Sequence, residues 1–294
     1  MNKSMRSLVI LLAFGLAGFA EEAKEETPPV DLGKVLRESK EFAKECAKYK
    51  ITWEEGRVTS VGEIVHRGGG PCEYLIGIYP SKPHETVVLL DDGPWTGEGR
   101  RPRVYVEGLA TNLNNAMLAA DFKKGSPYSW DQKTREVFPP RGETVYVYCE
   151  WTDKAGKEHR ARMSDWLWNH KRIKVMDPGQ FVYTGSTIYD EGPPTNRKWL
   201  GAEMDGLIVA VLATTTAMID HTEDGGMDNG AYEAVAIRIP EIGTRVKVVY
   251  SKKDLDAEKF PPMKLPKELI EARKKREAEE KKMAEEKKMA EEKK

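Results

Sequence analysis

The chain has 294 residues, and its 47 Lys and Arg balance 48 Asp and Glu to a formal net charge of −1. That balance argues against nucleic acid as a partner, because phosphate binding draws on a basic excess. The three cysteines, Cys46, Cys72 and Cys149, are too few and too far apart for a disulfide-stapled scaffold. One disulfide with a leftover thiol and three buried thiols are both open.

Residues 1–20 read as a signal peptide. Lys3 and Arg6 precede an apolar run from Leu8 to Phe19, and Gly18-Phe19-Ala20 supplies the small-x-small cleavage site. The run falls well short of the roughly twenty apolar residues that a membrane span needs. No Cys follows Ala20 to take a lipid anchor. The expected location is extracytoplasmic, periplasmic or secreted, in a bacterium, with no stable membrane span after cleavage. Residues 21–30, acidic and containing Pro28-Pro29, form a linker.

A helix is predicted over 31–49. Asp31 can cap it, and Leu32, Val35, Phe42, Cys46 and Tyr49 form its apolar stripe. The stripe points to packing against a domain, with a coiled-coil arm as the alternative. Over 50–252 the pattern changes to strands: Arg57–His66, Cys72–Tyr79, Glu85–Leu90, Thr144–Trp151, His159–Met163, Phe181–Tyr189, Leu207–Leu212, Ala231–Ile239 and Arg245–Tyr250. Glu85–Leu90 is apolar on both faces, as in a strand covered on both sides. In Thr144–Trp151, Val145, Val147, Cys149 and Trp151 share one face. Short helices are predicted over Asn112–Phe122 and Ser164–His170.

The expected fold is mainly β (α+β), an antiparallel β-sandwich or open barrel with a few short helices. Parallel α/β is disfavoured because most connections are too short for crossover helices. Residues 253–266, with Phe260-Pro261-Pro262 and Pro266, read as a linker to a charged helical tail at 267–294. The tail ends in the hexads EAEEKK, MAEEKK and MAEEKK. A six-residue period drifts around a helix, so Met283 and Met289 form no continuous seam. A solitary charged helix is expected, with a coiled-coil partner as the alternative.

Cys72-Glu73-Tyr74-Leu75 followed by Lys82-Pro83-His84-Glu85-Thr86 resembles the YdjY-like domain of bacterial exported proteins. Cys72 stands where that family has Leu, and Thr86 where it has Ser. The likeness extends to Ala110, Leu113 and Leu118, to Phe181–Ser186, to Asp205-Gly206 before Leu207–Ala210, and to Ile239–Val246, so it covers about Gly56 to Tyr250. The family has no settled activity, so the resemblance implies a fold and an export context more than a mechanism. Some members are described as ferredoxin-like, which does not carry over, because cluster ligation needs closely spaced cysteines and this chain has none.

The candidate binding residues are His84, Glu85, Ser186 and Asp205. His84 and Glu85 offer a neutral nitrogen and a carboxylate that could join Asp205, Asp220 or His221 at a metal. Adjacent strand residues point to opposite faces, however, and a turn-closing His84 is the plainer reading. Ser186 lacks the Gly-x-Ser-x-Gly elbow, so Gly185-Ser186 reads as a bulge with a locally bonded hydroxyl. Asp220–Gly230 reads as a solvated acidic loop without the spacing of a calcium loop. Trp130, Trp151, Trp166 and Trp168 can be core residues or line a groove for sugar or peptide. Gly68-Gly69-Gly70 and Gly97-x-Gly99 are turns.

No metal or cofactor is expected. The favoured function is a non-enzymatic binding or interaction module of the cell envelope, recognising a protein or a small ligand. The alternative is a metal-assisted envelope hydrolase using His84, Glu85 and Asp205.

Overall fold

A computed structural model describes residues 31–68, 70–79, 86–90, 107–223, 226–228 and 230–263, with scattered positions of the tail between 267 and 289. The expected signal peptide and linker, and the His84-Glu85 step, lie outside the described residues.

Asp31 opens the first helix, α1 (Leu32–Glu38), by accepting a hydrogen bond from the Lys34 amide at 3.0 Å. The single helix expected over 31–49 is two. Ser39 is extended, and it closes α1 with its N–H on Leu36 while its hydroxyl accepts from Phe42 to start α2 (Lys40–Lys48). Of the expected stripe, Phe42 and Cys46 are buried, as is Leu36, whereas Val35 is exposed. The packing against the domain is as expected.

In chain order the strands are β1 (Thr52–Glu54), β2 (Arg57–Ile64), β3 (Tyr74–Gly77) and β4 (Thr86–Leu90). After α3 (Leu109–Ala119) come β5 (Ser129–Trp130), β6 (Val137–Phe138), β7 (Glu143–Thr144), β8 (Tyr146–Thr152) and β9 (Glu158–Arg162). A 3₁₀ turn at Met163–Trp166 leads into β10 (Leu167–Asn169), β11 (Lys174–Val175), β12 (Phe181–Tyr183), β13 (Ile188–Asp190) and β14 (Lys198–Leu200). The short α4 (Gly201–Asp205) precedes β15 (Leu207–Ala210), β16 (Ile219–His221), β17 (Tyr232–Ala234), a second 3₁₀ turn at Ala236–Arg238 and β18 (Arg245–Ser251).

The chain is mainly β. One curled mixed sheet, a half-barrel, runs β7-β12-β16-β15-β3-β4-β2-β18-β8-β9, with β1 paired to β2. Strand β2 alternates between half-buried and buried positions, as one covered face requires. At Gly62 a Cβ would sit 2.7 Å from the Leu89 carbonyl, so only glycine lets β2 lie this close to β4. Strand β4 is nearly all buried, which agrees with its two apolar faces.

The antiparallel expectation fails at two places: β3 runs parallel to β4, and β15 parallel to β16. Residues 211–218 return the chain from β15 without a helix because their amides find other partners. Val211 and Leu212 both donate to the Glu73 carbonyl, and Thr214 donates to the Asp220 carboxylate.

Three more expectations change. Ser164–His170 is the end of a 3₁₀ turn followed by β10, because Leu167–Asn169 pairs with both β11 and β17. Phe181–Tyr189 is broken where Gly185 and Ser186 take positive φ of 74° and 63°. Ala231–Ile239 gives β17 and then the second 3₁₀ turn. The hairpin from β8 to β9 forms as expected.

Helix α3 packs into the curl with Leu109, Ala110, Leu113, Ala116 and Met117 buried. Cys46, Cys72 and Cys149 are three free, buried thiols, and burial pushes Cys46 and Cys72 up to about 12. No described helix is long and apolar enough to cross a membrane. The segment that reads as a linker from residue 253 lies along the sheet as far as 263. Met283 and Met289 in the tail are exposed.

Candidate functional site

Of the four expected binding residues, Ser186 and Asp205 are described. Ser186 is buried and acts as an internal clamp. Its hydroxyl donates to the Thr216 carbonyl at 2.6 Å and accepts from the Ala202 amide at 2.9 Å, which fixes the first turn of α4. Asp205 is the exposed last residue of that helix. The two side chains therefore belong to one corner of the fold without sharing a cleft. Glu203 on the same helix carries a role the sequence did not reveal. Its buried carboxylate accepts from Gly108 N at 2.7 Å and from Thr111 N at 2.8 Å, holding the start of α3.

The stretch read as a solvated loop is internal at its start, where Asp220, His221 and Glu223 are all buried. Strand β16 lies between β12 and β15, and those strands dry its polar side chains. Asp220 accepts from its neighbour's amide at 2.7 Å and from Thr214 N at 3.2 Å, and burial lifts its carboxyl to about 7. His221 donates from Nε2 to the Val211 carbonyl at 2.6 Å, so Nδ1 carries the lone pair, and burial lowers its pKa. Glu223 Oε2 accepts from Tyr232 at 2.7 Å and from Asn169 at 3.2 Å. Among the described residues no group of three or more His, Cys, Asp and Glu side chains is arranged to hold a metal ion.

The open site lies elsewhere, between the 3₁₀ turn after β9 and the strap of residues 254–260. A groove of about 590 Å³ runs between them, within the size range of ligand sites. Three anchors set the strap. At its start, Tyr148 donates to the Asp254 carboxylate and accepts from Leu255 N at 2.6 Å, while Arg162 Nη2 reaches Asp254 at 2.7 Å. Burial by itself would raise the Asp254 pKa, but the bonds from Tyr148 and Arg162 hold it low.

In the middle of the strap, His159 bridges Glu258 (2.6 Å) and Asp153 (2.9 Å) while its ring stacks on Trp151 at 5.0 Å. At the end, Arg238 donates to the carbonyls of Asp165 and Pro261 at 2.7 and 3.0 Å. Its guanidinium lies 5.2 Å from the Phe260 ring centre.

These anchors decide the charge the groove presents. Asp165, Asp177, Asp254, Asp256 and Glu258 line it against Arg162, Arg238 and Lys259. Both arginines are spent on fixing the strap, as are Asp254 and Glu258, and Asp177 pairs with Lys174, which leaves Asp165 and Asp256 against Lys259. Among the described residues the Asp165 carboxylate pairs with Arg162, at 3.7 Å, and burial raises its pKa. Met176, Val175, Leu255 and Phe260 supply apolar lining. The groove therefore presents carboxylates above an apolar floor, suited to a cationic, partly apolar ligand.

Trp166 and Trp168 are buried in the core, and Trp130 is exposed. No protein-family model, no curated protein and no solved structure matches this chain.

Proposed function

We propose that the protein is an exported binding module of the bacterial envelope, non-enzymatic, and that the strap groove receives a basic segment of a partner protein. The signal-like first twenty residues and the resemblance to the YdjY-like domain support the location. The observation that carries the binding reading is that Asp165 and Asp256 are left to face the groove, against Lys259 alone, once its two arginines and the other three carboxylates are engaged. A Lys- or Arg-bearing peptide would place its cations against Asp165 and Asp256 and its aliphatic stems on Met176 and Leu255. Ion pairs at such a half-open site weaken with salt.

A fluorescence anisotropy titration with a labelled lysine-rich peptide, repeated at low and high ionic strength, tests the reading. Saturable binding that weakens with salt is expected. Absence of binding at low salt, or equal binding of the acidic counterpart peptide, would overturn it.

A further inference from the structure

The hairpin formed by β5 and β6 holds a second cleft, of about 360 Å³, lined by Tyr128, Trp130, Gln132, Arg135 and Val137. Trp130 pairs in register with Val137, which puts both on one face of the hairpin. Both remain exposed, at 55% and 48%. The turn between them is tightly built. The Asp131 carboxylate accepts from Lys133 N and Thr134 N at 2.7 and 2.9 Å, and Arg135 N donates to the Asp131 carbonyl at 2.8 Å. Arg135 is thereby held at φ 58°, which fixes where its side chain leaves the backbone. It is the one charged residue lining the cleft, and among the described residues no carboxylate pairs with it.

We propose that this hairpin is a binding site for an acidic sugar, a uronic-acid unit whose ring lies on the Trp130 indole and whose carboxylate meets the Arg135 guanidinium. The apolar C–H face of a pyranose fits an exposed indole, and a guanidinium pairs a carboxylate through two parallel N–H donors. Gln132 supplies an amide for a ring hydroxyl. A basic peptide is disfavoured by Arg135. Single-stranded nucleic acid is disfavoured because it needs successive stacking platforms, and Tyr128 is buried and tilted 54° to the exposed Trp130 indole. The site is separate from the strap groove and stands without it.

Calorimetric titration of the full chain with a galacturonic acid trisaccharide tests the proposal, beside cellotriose, an oligothymidylate, and the variants Trp130→Ala and Arg135→Gln. Binding of the galacturonate is expected, with a loss of roughly tenfold in Trp130→Ala, the scale of one stacking contact. Arg135→Gln is expected to weaken galacturonate toward the level of cellotriose. Both substitutions fall on the exposed hairpin, and far-ultraviolet circular dichroism checks that each variant stays folded. No binding of galacturonate, equal binding of cellotriose to the unaltered chain, tighter binding of the oligothymidylate, or full binding by both folded variants would overturn it.

Discussion

Arg238 lies over the Phe260 ring at 5.2 Å while its two terminal nitrogens donate to the carbonyls of Asp165 and Pro261. One side chain, 8% exposed, thus joins the second 3₁₀ turn, the first 3₁₀ turn and the strap. Its burial lowers its pKa, and the ring face and two carbonyls offset the lost hydration. The groove wall depends on this contact.

Replacing Arg238 with Met keeps the aliphatic bulk and removes both charge-assisted bonds. A loss of about 1–2 kcal/mol in denaturant unfolding is expected, since two part-buried charge-assisted hydrogen bonds are lost. Limited proteolysis should cut the variant first within 254–263. Unchanged stability and an unchanged cleavage pattern would show that the strap is held by other means.

The middle anchor is pH-dependent. Hydrogen bonds from His159 to Asp153 first, and then to Glu258, raise the His159 pKa. The cation is therefore favoured in the folded state. Its contribution is fully present below the ordinary histidine pKa and is lost as pH rises through the raised folded value. Protease cleavage near Glu258 should accelerate across that upper window. His159→Phe retains the stack on Trp151 and should show one rate throughout.

Asp220 and His221 act with opposite sign on global stability. Burial raises Asp220 to about 7, so the folded state holds its proton more tightly than the unfolded chain. That contribution is present below about pH 4 and is lost as pH climbs to about 7. Burial lowers the His221 pKa, so its contribution is present above about 6.5 and is lost as pH falls through the lower folded value. Asp220→Asn removes the first effect alone. The variant should gain stability relative to the unaltered chain as pH rises, by a few kcal/mol at most. Urea melts at about pH 5 and about pH 8 measure the difference. An equal offset at both values would show that Asp220 is ionised in the fold.

On α4, Glu203→Ala should cost about 2–3 kcal/mol, because the Gly108 and Thr111 amides lose their acceptor at the start of α3. Glu203→Gln keeps an oxygen for one of them and should cost about half as much. Thermal unfolding of the two variants side by side checks the order.

Local patterns carried much of the fold into the sequence. The apolar run of β4 marked a strand covered on both faces, and Val147 and Cys149 marked the inner face of β8. Asp31 was legible as a cap because its residue type and place suffice. Ser39 was not, since the stretch around it is helix-favouring and the apolar spacing continues across the break. Asp220, His221 and Glu223 look like a solvated loop when only neighbours in sequence are considered. They are buried because β16 is an inner strand, flanked by β15 and by β12 from farther back in the chain, and because Asn169 and Tyr232 close on Glu223. The groove was hidden for the same reason: Arg162, Arg238 and Phe260 meet only once the sheet has folded. Trp130 was noticed as an aromatic, but its exposure depends on a hairpin whose turn is set by Asp131.

Calorimetric titration of the full chain with a lysine-rich peptide, in the unaltered protein and in Asp165→Asn/Asp256→Asn, tests the binding reading most directly. Binding to the unaltered chain is predicted, weakened about three- to tenfold for each carboxylate removed. An affinity unaffected by the double substitution, or no binding to either protein, would contradict it.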